Sequence, residues 1–131
     1  MTPYSITQTA PLPNNPLPIV SIGAGGIVHD AHYPAYQMAG FTVAGLYDLD
    51  STRAQMMAEK FSVPGVYLSI ADAVDSGPSD AVYDVAVPAS AIVDILAQLP
   101  DESAVLIQKP MGETLAEANA ILDLSLIHIS E

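Results

Sequence analysis

Leu17-Pro18-Ile19-Val20-Ser21-Ile22-Gly23-Ala24-Gly25-Gly26-Ile27-Val28 is the stretch on which the fold turns. Residues 17–22 form a short apolar run without helical period, which reads as a buried strand. Three glycines follow within four positions, and residues 27–39 then fit a helix that Gly40 closes as a left-handed cap. A strand, a glycine turn and a helix in that order read as a phosphate-binding device, or else as an ordinary strand-to-helix turn. Gly23 permits the tight turn, Gly25 lets a pyrophosphate approach the backbone, and the helix start offers unpaired N–H groups at the positive end of its dipole. Gly23, Ala24, Gly25, Gly26 and Ile27 are therefore the candidate cofactor-binding turn. A lone Gly-x-Gly is weak evidence; its place between strand and helix gives it weight.

The alternation continues along the chain. Residues 41–47 read as a second strand, and Asp50 or Ser51 caps a helix to about residue 61, stopped by Pro64-Gly65. Residues 66–68 are a short third strand, and Ser69 with Asp72 makes a capping box for a short helix. Residues 81–87 are a fourth strand, 89–99 a helix ended by Pro100, and 103–108 a fifth strand. Thr114 with Glu117 makes a second capping box, opening a helix through about residue 124. Near-continuous apolar strands alternating with helices predict a doubly wound parallel sheet with helices on both faces, a three-layer α/β Rossmann fold. Residues 1–16, with four prolines and no apolar period, read as an extended or disordered arm, and 17–124 as the dinucleotide-binding domain. The final SLIHISE interrupts the last helix, and residues 125–131 are expected to be a truncated or non-native tail outside the fold.

Composition narrows the function. The chain has 131 residues, 50% apolar and 14% charged, which is one globular domain. It has no cysteine, so disulfide scaffolds and thiolate chemistry are excluded. Fifteen acids against three bases give a net charge of -12, and Arg53, Lys60 and Lys109 are the only fixed cations. Nucleic acids and anionic membrane surfaces both need clustered Lys and Arg, so neither is an expected partner. Any phosphate must be held mainly by backbone N–H groups. No run approaches a membrane span of about 20 apolar residues. With no secretory or twin-arginine pattern, the reading is cytoplasmic.

Asp48 ends the second strand, 25 positions after Gly23, where a carboxylate can accept both adenosine ribose hydroxyls. It would repel a 2′-phosphate, so NAD is favoured over NADP. Arg53 keeps NADP as the alternative, since a folded-back arginine could meet that phosphate. Asp50 suits the helix cap, which leaves Asp48 for ribose. Lys109-Pro110 follows the fifth strand at the carboxyl edge; Lys109 is a candidate acid/base or substrate-orienting group, or else a solvated surface lysine. Val87-Pro88 stands at the equivalent edge after the fourth strand, lining the nicotinamide half of the site or simply starting a helix. His29 and His32 lack a third convergent ligand and read as surface or capping residues, so no metal is expected.

With these residues placed, the sequence resembles the N-terminal domain of the Gfo/Idh/MocA oxidoreductases. The resemblance covers about residues 18–124. It rests on IGAGGIV, His32 and Pro34 in HYPAY, YDLDSTRAQMMAEKF, VAVPAS and QKPMGETLAEA. It implies that Gly23, Gly25, Gly26 and Asp48 hold the dinucleotide. It also puts the family's Glu-Lys-Pro motif on Gln108-Lys109-Pro110, beside nicotinamide and substrate, with a proline that commonly follows a cis bond. Three positions depart from the pattern: Gln108 replaces glutamate, Ile92 a histidine, and Val28 a small residue. The resemblance implies a nicotinamide-dependent parent acting on a sugar or cyclitol, with a second domain that reads the small-molecule substrate and mediates any homo-oligomer. The chain as given is expected to bind cofactor without turnover. A non-catalytic nucleotide-binding module and a methyltransferase-type Rossmann domain stand as alternatives.

Overall fold

The computed structural model describes residue 5, residues 9–124 and the backbone of residues 127–130. The parts of the expected arm at 1–4 and 6–8, and of the expected tail at 125, 126 and 131, lie outside the described residues.

Six strands form one sheet: β1 Ile19–Ile22, β2 Val43–Tyr47, β3 Gly65–Val66, β4 Val82–Val85, β5 Ala104–Ile107 and β6 Ile127–Ser130. Their order is β3-β2-β1-β4-β5-β6, and every neighbouring pair is parallel. The doubly wound reading therefore holds. β1 is central: Val20 faces Gly45 on one side and Tyr83 on the other. The chain leaves β1 in one direction to β2 and β3, then returns past it to β4 and β5. That reversal opens a crevice at the carboxyl ends of β1 and β4.

The five-strand expectation is corrected. The backbone of Ile127–Ser130 lies parallel to β5, with Ala104 opposite Ile127 and Ile107 opposite Ser130.

The helices follow the local signals with shifts at their ends. The first opens as a π turn, Val28–His32, and continues as α1, Tyr33–Ala39, with Pro34 in its first turn and Gly40 at φ 75° closing it. α2, Ser51–Phe61, is capped by Asp50, whose side chain accepts the Arg53 N–H at 3.1 Å. α3, Ile70–Ser76, is capped by Ser69. A 3-10 turn at Ala89–Ala91 leads into α4, Ile92–Leu96, shorter than the expected 89–99. Past Leu96 the bonds tighten to the i+3 type, from the Gln98 N–H to the Ile95 carbonyl at 3.0 Å and from the Leu99 N–H to the Leu96 carbonyl at 3.2 Å, as helix ends commonly do. α5, Leu115–Leu122, is capped by Thr114.

Alternation along the strands sends side chains to two cores. Val20, Ile22, Tyr83, Val85, Val105 and Ile107 pack with Ile70, Ile92, Leu96 and Ile121 on the α3–α4–α5 face. Leu46 packs with Val28, Tyr33, Ala54, Met57 and Val63 on the α1–α2 face. Val28 is fully buried there, so the larger residue at the third fingerprint position is accommodated in this core.

At α3 the capping acid reaches one residue beyond the usual box. Asp72 accepts the Leu68 N–H and the Ser76 hydroxyl, both at 2.8 Å, while its own N–H donates to the Ser69 hydroxyl. The Leu68 N–H foremost, and Ser76 next, hold the exposed Asp72 carboxyl below its ordinary value of 3.8. A carboxyl lowered in the folded state contributes stability that is full above 3.8 and lost as pH falls through its folded value. Asp72→Asn is thus expected to flatten the acid limb of a Tm-against-pH series below pH 4 relative to the parent; an unchanged limb would show that these bonds do not hold the carboxylate in the folded chain.

Candidate functional site

The strongest constraint in the chain sits where β1 ends. Gly23 has φ 103°, and a side chain there would run into the Ala86 carbonyl beyond β4. Its N–H donates to the Tyr47 carbonyl at 2.8 Å. One residue thus stitches together the carboxyl ends of β1, β2 and β4. Gly25 and Gly26 are different: a Cβ at either meets nothing within 4 Å, and neither has a positive φ. The protein's own packing does not call for glycine at these positions. A ligand that must lie against the backbone would.

The first helical bond runs from the His29 N–H to the Gly25 carbonyl at 3.1 Å. The amides of Gly26, Ile27 and Val28 precede it and have no acceptor inside the helix. They are the donors a pyrophosphate needs, at the positive end of the helix dipole.

Asp48 follows β2 and is half-buried. It accepts the Ala24 N–H at 2.7 Å on Oδ2 and the Asp50 N–H at 2.8 Å on Oδ1. The carboxylate therefore braces the glycine turn against the loop entering α2, a tie that the ribose reading had not included. Two carboxylate oxygens offer about four acceptor positions, so room remains for two ribose hydroxyls.

A cleft of about 580 Å³ lies over these carboxyl ends. It brings together Gly23, Gly25, Ile27, Asp48, Val87, Pro88 and Gln108 from the expected set. Ala24 is buried, lines the neighbouring hollow rather than this cleft, and contributes through its N–H to Asp48. Gly26 opens instead onto a neighbouring hollow of about 920 Å³ between the glycine turn and α2, lined also by Arg53 and Lys60. Lys109 does not line the cleft. Its side chain is exposed, its N–H donates to the Gln108 Oε1 at 3.2 Å, and the Lys109–Pro110 peptide is cis. Sequence reasoning missed Leu49, Ser90, Ala91 and Ile95, which also line the cleft, as does Arg53. Their signal was positional, since all follow the carboxyl ends of β2 and β4.

The histidine reading is corrected. His29 is half-buried, with Nδ1 at 2.6 Å from Asp30 Oδ1 and Nε2 at 2.5 Å from Lys60 Nζ, whereas His32 is buried. His32 Nδ1 lies 2.8 Å from Asp84 Oδ2, and the Tyr36 hydroxyl donates to the same oxygen at 2.7 Å. An acid alone in the apolar strand VYDVAV was the available sign, because a buried carboxylate requires partners. Beside this cluster, burial foremost drives the Tyr33 phenol well above its ordinary range; the Asp84 charge adds to this and the Ser21 side chain opposes it.

Residues 17–125 match the family model described as an oxidoreductase family, NAD-binding Rossmann fold. The chain belongs to this Gfo/Idh/MocA family. The open glycine cradle, the free first-turn amides and the acid after β2 fit the dinucleotide that this family's domain binds. No curated protein matches the chain. Solved structures of the same fold include an oxidoreductase from Thermotoga maritima, 16% identical with a TM-score of 0.74, over 86% of this chain and 37% of that one. A myo-inositol dehydrogenase from Lactobacillus casei, in complex with NAD(H) and myo-inositol, is 20% identical with a TM-score of 0.74, over 83% and 33%. A 3-ketoreductase from Actinomadura kijaniata, in complex with TDP-benzene and NADP, is 20% identical with a TM-score of 0.71, over 89% and 37%. This Gfo/Idh/MocA chain therefore spans about a third of the length of these structures. Among the described residues no helix is long and apolar enough to cross a membrane, and no group of three acid, histidine or cysteine side chains could hold a metal.

Proposed function

We propose that this chain is the cofactor-holding part of an oxidoreductase that exchanges hydride with a hydroxyl-bearing carbon of a sugar or cyclitol, and that alone it binds the dinucleotide without turnover. The observation that carries the reading is the glycine cradle open to the cleft, with Asp48 braced against it through the Ala24 N–H. The substrate class is supported by the myo-inositol dehydrogenase and by a UDP-N-acetylglucosamine 3-dehydrogenase among the structural relatives.

In this reading the amides of Gly26, Ile27 and Val28 hold the pyrophosphate over the bare turn that Gly23, Ala24 and Gly25 shape, and the Asp48 carboxylate accepts the ribose hydroxyls. Its negative charge disfavours a 2′-phosphate, so NAD is the preferred cofactor. Val87 and Pro88 wall the cleft and exclude water, and Gln108 offers an amide at its far end. When bound, the nicotinamide supplies hydride acceptance and donation. Lys109, on the exposed rim one residue beyond Gln108, takes or returns the substrate hydroxyl proton in the longer parent. A second reading, a non-catalytic binding module, draws support from Gln108 in place of an acid and from Lys109 lying outside the cleft.

Calorimetric titration of NADH and NADPH into the folded chain tests the cofactor site. Saturable binding that prefers NADH is expected. Asp48→Ala should weaken NADH by about 10- to 100-fold, the worth of charge-assisted hydrogen bonds. A chain that melts cooperatively yet binds neither nucleotide sinks the proposal. In an intact parent, loss of turnover with retained NADH binding on Lys109→Met separates the dehydrogenase from the module.

A further inference from the structure

Where the π turn Val28–His32 meets the end of α2, four side chains come together that the dinucleotide reading does not use. His29 Nδ1 lies 2.6 Å from Asp30 Oδ1, and His29 Nε2 lies 2.5 Å from Lys60 Nζ. With Lys60 as an ammonium, only one tautomer serves both contacts: Nδ1–H donates to the carboxylate, and the bare Nε2 accepts from Nζ. Phe61 stands behind the pair, edge-on to the imidazole at 5.6 Å between centroids, with Nζ 5.5 Å from its own centroid. Phe61 is in turn held edge-on by the buried Tyr33. The pair is therefore set by how these two elements pack, not by two loose surface side chains.

An amine, a base against it and a carboxylate orienting that base is the order of an activated nucleophile. The chain has two lysines, and they differ in this respect. Lys109 is exposed and has no base beside its Nζ among the described residues. Lys60 also has room before it. With His29 it lines the hollow of about 920 Å³, where Arg53 is the second fixed cation and Asp50 and Glu59 are the carboxylates. Arg53 gives an anionic reagent a partner there, in a chain whose charge of -12 otherwise repels one.

We propose that Lys60 is an acylation site, served by His29 as base, and that its acyl donor is an acyl phosphate received in this hollow. Nζ gives up two protons in all. The first passes to His29 Nε2 and on to solvent, which leaves a lone pair on Nζ. That pair forms the N–C bond to the acyl carbon, the C–O bond to phosphate breaks, and phosphate leaves with the bonding electrons. The second proton passes through Nε2 to the departing phosphate. Each time, the Asp30 carboxylate stabilises the imidazolium. The product is a neutral amide, so one of three fixed cations is lost from the wall onto which Gly26 opens. None of this depends on a dinucleotide being bound.

Acetyl phosphate at a low extent of reaction tests the proposal, with mass spectrometry of the digested chain reading Lys60 and Lys109 in the same molecules. Lys60 is expected to react about tenfold or more faster, short of the ~10²–10⁴-fold of an enclosed base because this pair is open to water. Unfolding the chain in urea should bring the two rates together. Inorganic phosphate should slow Lys60 saturably and leave Lys109 unchanged. His29→Gln keeps an acceptor for Nζ but supplies no base, and should bring Lys60 down to the Lys109 rate. Asp30→Asn should slow Lys60 by a smaller factor. Both variants should melt within a few degrees of the parent, as surface changes do. The unaltered chain decides even where a variant does not fold: equal rates at the two lysines would overturn the proposal. So would a Lys60 rate untouched by phosphate, or a Lys60 preference that survives His29→Gln.

Discussion

Gly23→Ala is expected to destabilise the fold by about 2–6 kcal/mol, a fall in Tm of roughly 6–25 °C for a domain of this size. Two effects add. At φ 103° an L-residue is strained by about 1–3 kcal/mol. The new methyl also meets the Ala86 carbonyl, a backbone atom of the strand-end loop that has no rotamer to escape into, for a further 1–3 kcal/mol. Because the Gly23 N–H also ties β1 to the Tyr47 carbonyl, relief can come only by parting strand ends that define the cleft. Gly40→Ala is the matched control. It too has positive φ, at 75°, but a Cβ there meets nothing within 4 Å, so only the backbone cost of about 1–2 kcal/mol applies. Urea unfolding of both variants checks the argument, and equal losses would show that the contact with Ala86 contributes nothing.

What could be read from the sequence divides along the range of the interactions. The glycine turn, the acid after β2 and the caps at Asp50, Ser69 and Thr114 are local devices. Each is encoded within a few residues of where it acts, and each stands where the spacing put it. The buried polar cluster is not local. His32 and Asp84 are 52 positions apart, and two histidines three apart on a helix start look alike until the sheet is assembled. His29 faces solvent and Lys60; His32 faces the sheet. The brace from Asp48 to Ala24 spans 24 positions and likewise emerges only once β1 and β2 lie side by side. Lys109 was singled out by its place after β5, yet adjacent residues leaving a strand point apart, so Gln108 lines the cleft and Lys109 does not. β6 was hidden for another reason. Four residues with two isoleucines carry too little pattern to outweigh the odd context of the segment around them.

Gly25→Val should have the opposite profile to Gly23→Ala: an unchanged fold and a lost ligand. Gly25 has no positive φ, and a Cβ built there projects into open space. The variant should therefore melt within a few degrees of the parent, the change expected of a surface substitution. The same position lines both the 580 Å³ cleft and the hollow beside α2, so an isopropyl group there stands where a pyrophosphate must approach the first-turn amides. Holding the phosphates away breaks several charge-assisted bonds of about 1.5–3 kcal/mol each, which places the loss of NADH affinity at about 100-fold or more. Titration calorimetry beside a thermal melt reads both halves of the prediction. Retained NADH binding in a folded Gly25→Val chain would mean that the dinucleotide does not lie on this turn. A large fall in Tm would mean instead that the glycine serves the fold. Only an intact melt with binding lost fits a backbone kept bare for a ligand, because it separates what the chain needs in order to fold from what it needs in order to bind.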